Sequence, residues 1–80
     1  MRNIFVVQNG LDCDGFNKGS ITKFVSQEVA EQYAKDMNNC SDGLCYVCVN
    51  SDEARQYCEN YGLDFDRYDS FVCDENMNII

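Results

Sequence analysis

The sequence predicts an α/β protein of the α+β kind, a single small domain in the order ββαβαβ with a four-stranded mixed sheet. Three observations predict it. Four short segments are rich in Val, Ile, Phe and Tyr; two segments carry an apolar stripe at helical spacing; and a chain of 80 residues has room for one core only.

The strands are expected at Asn3–Gln8, Ser20–Val25, Leu44–Asn50 and Tyr68–Asp74. Asn9–Gly19 is a polar loop with three glycines that joins the first two strands as a hairpin. Asn38–Gly43 holds a Ser-Asp-Gly turn. In the first helix Val29, Ala30, Tyr33, Ala34 and Met37 share one arc, with Glu28, Glu31 and Lys35 pointing away. Ser26 stands at its N-cap, and Glu28 in the first turn suits the helix dipole. The second helix takes Ser51 as its cap, buries Ala54, Tyr57, Cys58 and Tyr61, and stops at Gly62.

Strand–helix–strand units cross over with one hand and run parallel, so the second, third and fourth strands should be parallel and the first antiparallel to the second. The first and third strands are apolar on both sides, whereas Lys23, Ser70 and Asp74 mark the second and fourth as edges. These signs favour the order 2-1-3-4 with both helices on one face. The other face would then be left open, as a contact surface for a second copy or a target. A degenerate repeat is also visible. Ala30-Glu31-Gln32-Tyr33-Ala34 matches Ala54-Arg55-Gln56-Tyr57-Cys58, and Tyr46-Val47-Cys48 matches Phe71-Val72-Cys73.

Charge narrows the function. Fourteen acidic residues against six basic ones give a net charge of −8. Such a field repels nucleic acid and anionic membrane and attracts basic protein surfaces. Direct nucleic-acid binding requires a basic patch, and there is none in the sequence. The N-terminal apolar run, Ile4 to Val7, is only four residues long, too short for a signal peptide or a membrane span, so a cytoplasmic location is expected.

Catalysis lacks its usual parts. There is no His, the commonest general base and metal ligand. The six cysteines, Cys13, Cys40, Cys45, Cys48, Cys58 and Cys73, fit free thiols in a reducing compartment. Cys45 and Cys48 have a metal-like spacing, but on a strand residues three apart point to opposite faces and cannot share one ion. A calcium reading of Asp12-Cys13-Asp14-Gly15-Phe16-Asn17 fails because Phe16 occupies a ligand position and Lys23 stands where a bidentate Glu should be. No enzyme activity, cofactor or metal is expected.

The acid is unevenly spread. Residues 1–50 carry a net −2, and residues 51–80 a net −6 from eight acids and two bases. Asp52, Glu53, Glu59, Asp64, Asp66, Asp69, Asp74 and Glu75 are therefore the candidate partner-binding residues. They make either a solvated face that aids solubility or a surface that docks on a Lys/Arg-rich protein, in its strong form a mimic of nucleic-acid phosphates.

Phe24-Val25-Ser26-Gln27-Glu28-Val29-Ala30-Glu31-Gln32-Tyr33-Ala34 opens a helix directly from a hairpin strand, in a tiny acidic chain. In this the chain resembles many small accessory proteins encoded by bacteriophages, anti-CRISPR proteins among them, mainly over residues 1–50. The resemblance implies an inhibitor that blocks a nucleic-acid-binding site on a bacterial defence complex. That class shares no catalytic motif, so it assigns no residue a role. The leading expectation is a non-enzymatic binder of a basic surface on a protein or ribonucleoprotein complex, in the host cytoplasm if phage-encoded. The alternatives are a small structural module, homodimeric through the open sheet face, and a thiol- or metal-dependent protein.

Overall fold

The computed structural model describes residues 2–10, 20–40 and 44–80. Its elements are β1 (Phe5–Gly10), β2 (Ile21–Phe24), α1 (Gln27–Cys40), β3 (Leu44–Val49), α2 (Ser51–Tyr61), α3 (Phe65–Asp69) and β4 (Val72–Cys73). The four strands form one mixed sheet in the order β3-β1-β2-β4. β1 runs antiparallel to both neighbours, with Val6 opposite Thr22 on one side and Cys48 on the other, and β4 lies parallel to β2.

The expected order 2-1-3-4 is therefore corrected: β4 joins β2, not β3, and β2 is an interior strand. One physical rule converts that single change into a second. The chain crosses the sheet from β2 to β3 in one direction and from β3 to β4 in the other. A crossover of constant hand then places the two helices on opposite faces. The order and the helices on one face fail for this one reason; the expected ββαβαβ succession is corrected separately, because α3 adds a third helix between α2 and β4.

The burial follows the alternation of β1. Phe5 and Val7 point to α2, joining Ile21, Val49, Ala54, Tyr57 and Cys58. Val6 points to α1, joining Phe24, Ala30, Ala34 and Cys73. The two-sided apolarity of β1 thus matches two covered faces. The short side chains matched between the helices, Ala30 and Ala34 in one and Ala54 and Cys58 in the other, are all buried, as close helix–sheet packing requires.

The helix ends are chemically specified. Ser26 caps α1 as expected, its Oγ accepting from the Val29 N–H at 3.3 Å. On α2 the cap lies one residue earlier than expected, at Asn50. Its Oδ1 accepts from the Glu53 N–H at 2.9 Å, and the Glu53 carboxylate accepts from the Asn50 N–H in return, a capping box. Gly62 ends α2 in the left-handed region at φ 69°, and the Leu63 N–H reaches the Cys58 carbonyl at 2.8 Å.

The fourth strand is shorter than expected. Most of Tyr68–Asp74 is taken by the end of α3 and its exit, which leaves Val72–Cys73 as β4. Phe65 and Tyr68, three apart, pack on the α2-side core. Arg55 of α2 holds its guanidinium 4.8 Å from the Phe65 ring centre, which ties α3 to α2. Lys23 is not an edge charge: its Nζ reaches under α3 to the Asp69 carboxylate at 2.9 Å.

Candidate functional site

The eight acids singled out from the sequence do not form one patch. Asp52, Glu53, Glu59, Asp64, Asp66 and Asp69 are exposed on α2 and α3, on one side of the sheet. Asp74 and Glu75 follow β4, and Glu75 reaches the other side, where it meets α1. Several also serve the fold. Glu53 closes the capping box, and Asp69 pairs with Lys23. Asp74 Oδ1 accepts from the N–H groups of Asn76 and Asn78, at 2.9 and 3.0 Å, and so shapes the turn that precedes the C-terminal residues. Five remain with no such bond in their side chains: Asp52, Glu59, Asp64 and Asp66 on the α2–α3 side, and Glu75 on the other.

Glu59, Asp64 and Asp66 gather around a shallow depression of about 260 Å³ between α2 and α3, and Arg55 lines it with them. One guanidinium among three carboxylates leaves the depression negative. Among the described residues Lys23–Asp69 is the single ion pair, so nearly all the acidic charge described is left to solvent or to a partner.

Sequence reasoning missed a second acidic surface, on the α1 side. Phe24, Val29 and Tyr33 floor a groove of about 240 Å³ whose rim carries Glu28, Asp36 and Glu75 and no base. The signal was present: Glu28, Gln32 and Asp36 recur every fourth residue along α1, one row of a helix surface. Glu75 could not be added to that row without the fold, because it lies about forty residues further along the chain.

Two of the thiols serve the fold, Cys48 through a hydrogen bond and Cys58 through burial. Cys48 Sγ donates to the Asn3 carbonyl at 2.7 Å. Burial pushes the Cys48 thiol up, and the negative charge of Glu31 adds to the effect. Burial likewise raises Cys58, with Asp64 adding to it. Both shifts oppose thiolate formation. Cys45 is exposed while Cys48 packs against the α1-side core, so the pair faces opposite ways, as its strand position requires. No group of three or more metal-capable side chains converges among the described residues. Cys13 and the calcium-like stretch from Asp12 to Asn17 lie outside the described residues.

The sheet face expected to be open is covered, since α1 and α2 take one side each. That removes the surface on which a homodimer was expected. No described helix is long and apolar enough to cross a membrane. Compared with models of known families, with curated proteins and with solved structures, the chain finds no match.

Proposed function

We propose that this protein is a non-enzymatic inhibitor that docks its acidic surface on the basic, nucleic-acid-binding surface of a protein or ribonucleoprotein complex, as anti-CRISPR proteins do. The observation that carries the reading is the charge left unneutralised: of the described acidic side chains, only Asp69 is held in an ion pair. A fold that needed these charges for itself would pair or cap them. Here Asp52, Glu59, Asp64 and Asp66 project from α2 and α3 with no partner of their own. Opposite charge on a target accelerates encounter and suppresses wrong partners. The location that suits this role is the cytoplasm, where such complexes work.

The test is a variant carrying Asp52→Asn, Glu59→Gln, Asp64→Asn and Asp66→Asn. Asp69 is spared because its loss would leave Lys23 unpaired. Exposed carboxylates contribute little to stability, so the variant keeps its fold. The parent protein, used as bait in bacterial lysate, should capture a basic partner whose association rate falls about tenfold or more from low to high salt. The variant should bind that partner more slowly, and nucleic acid should displace it more readily. Equal association rates for parent and variant would reduce the acidic face to a solubility device.

A further inference from the structure

We propose that the groove beside α1 seats an arginine side chain presented by the partner's basic surface. The inference rests on the reading above, that the partner is basic, and adds a second contact with it, on the side of the sheet opposite to Asp52, Glu59, Asp64 and Asp66.

The groove has the two parts an arginine needs. Its floor is apolar and aromatic, made by Phe24, Val29 and Tyr33. The aliphatic stem of an arginine lies on such a surface while its charged head stays at the rim. The rim is anionic on both sides: Glu28 and Asp36 stand on α1, and Glu75 stands opposite, beyond β4. Glu28 and Asp36 are eight residues apart on the helix, about 12 Å along its axis, so the rim is drawn out along the helix rather than surrounding a point.

The floor is also held in place. The Tyr33 ring lies 4.9 Å from Phe24 and 6.3 Å, edge-on, from Tyr46, measured between ring centres. On the rim, Gln32 Nε2 donates to Asp36 Oδ1 at 2.8 Å and orients that carboxylate. A ring fixed before the ligand arrives costs no ordering on binding. These features favour arginine over lysine. A planar guanidinium stacks on an aromatic face and bonds carboxylates through a fork of donors, whereas an ammonium is a compact, strongly hydrated charge. The α2–α3 depression is a poorer seat, because Arg55 already lines it.

The probe is a capped alanine–arginine–alanine tripeptide, titrated into ¹⁵N-labelled full-length protein and followed by amide chemical shifts. Its lysine and citrulline counterparts are titrated in parallel. The arginine peptide should move the signals of Glu28, Gln32, Tyr33 and Glu75 along saturable curves. The lysine peptide should bind at least about threefold more weakly, and the neutral citrulline peptide should leave those signals in place. A Glu28→Gln, Asp36→Asn, Glu75→Gln variant, whose own spectrum reports its folding, should weaken the arginine peptide about fivefold or more.

Shifts spread evenly over all acidic surfaces, a citrulline peptide that binds equally well, or a triple variant that binds as the parent does would each overturn the assignment. A lysine peptide matching the arginine one would overturn the choice of arginine. The two readings fail separately. If a captured basic partner depends on Asp52, Glu59, Asp64 and Asp66 while the groove signals stay still, the groove assignment falls and the proposed function stands. If the groove takes the arginine peptide and no basic partner is captured, the groove stands and the proposed function falls.

Discussion

The carboxamide of Asn38 takes both main-chain hydrogen bonds that Tyr46 directs away from the sheet. Oδ1 accepts from the Tyr46 N–H at 2.7 Å and Nδ2 donates to the Tyr46 carbonyl at 3.0 Å. Tyr46 sits in β3, an edge strand of six residues without a charge or a proline. Such an edge is a template for pairing with another chain. Asn38, reaching over from α1, occupies the template as a strand's peptide group would. The other edge is treated similarly. Ile80 donates its N–H to the Val72 carbonyl at 2.9 Å and Ile79 bridges Cys73, so the C-terminal residues lie along β4.

Asn38→Ala should therefore do two things. It should cost about 1 kcal/mol in urea unfolding, because two partially solvated hydrogen bonds are lost to water. It should also promote self-association through β3, seen as a concentration-dependent rise in sedimentation coefficient that the parent does not show. A destabilised variant that stays monomeric at millimolar concentration would show that Asn38 supports the fold without guarding the edge.

Tyr57 closes the base of the first hairpin from the other side of the sheet. Its hydroxyl donates to the Gln8 carbonyl and accepts from the Ser20 N–H at 2.8 Å, joining the two strand ends that flank residues 11–19. Tyr57→Phe keeps the ring, which also packs 4.5 Å from that of Tyr61, and deletes only this bridge. The expected cost is about 1–2 kcal/mol in urea unfolding. Amide exchange should rise selectively at Ser20 and along the β1–β2 pairing. Uniform acceleration across the protein would assign the effect to the core instead.

Alkaline pH should unfold the protein in a defined window. Burial raises the ionisation of Tyr33 and Tyr57 above 10.0 and of the Cys48 and Cys58 thiols above 9.0, their ordinary values. Each group is held neutral in the fold more firmly than in the unfolded chain. Its contribution is full below the ordinary value and is lost as pH rises through the raised one. Urea midpoints should be flat from neutrality to about pH 9 and then fall, thiols first and tyrosines after. Tyr33 and Tyr57 should ionise late in an absorbance titration of the folded protein. A midpoint that falls between pH 7 and 8 would contradict this account.

Residues close in sequence were the legible ones. The Ser26 cap, the Gly62 stop, the stripe of Ala54, Tyr57 and Cys58, and the hairpin pairing of β1 with β2 could all be read because each rests on a local rule: a side-chain oxygen at a helix start, a backbone only glycine adopts freely, a period of 3.6. Asn50 was displaced by one residue because Asn and Ser are equally good caps, and the reciprocal partner, Glu53, distinguishes them. The sequence places Tyr68 and Asp69 in a strand because aromatic residues favour strands, and gives Phe65–Arg67 no element, while Phe65 and Tyr68 also fit the three-residue helical spacing that α3 adopts.

Sequence alone settled the number of strands, the placement of the two long helices and the charge of −8. Tertiary structure alone decided where β4 pairs. The decision rests on contacts such as Phe24 with Cys73 and Lys23 with Asp69, made by residues nearly fifty positions apart, a separation on which local propensity is silent. Lys23 looked like an edge marker because nothing near it in sequence shows that Asp69 will meet it. Once β4 lies beside β2, the constant hand of the crossovers turns α1 and α2 to opposite faces. That turn carries Glu75 away from the other acids and into the groove with Glu28 and Asp36.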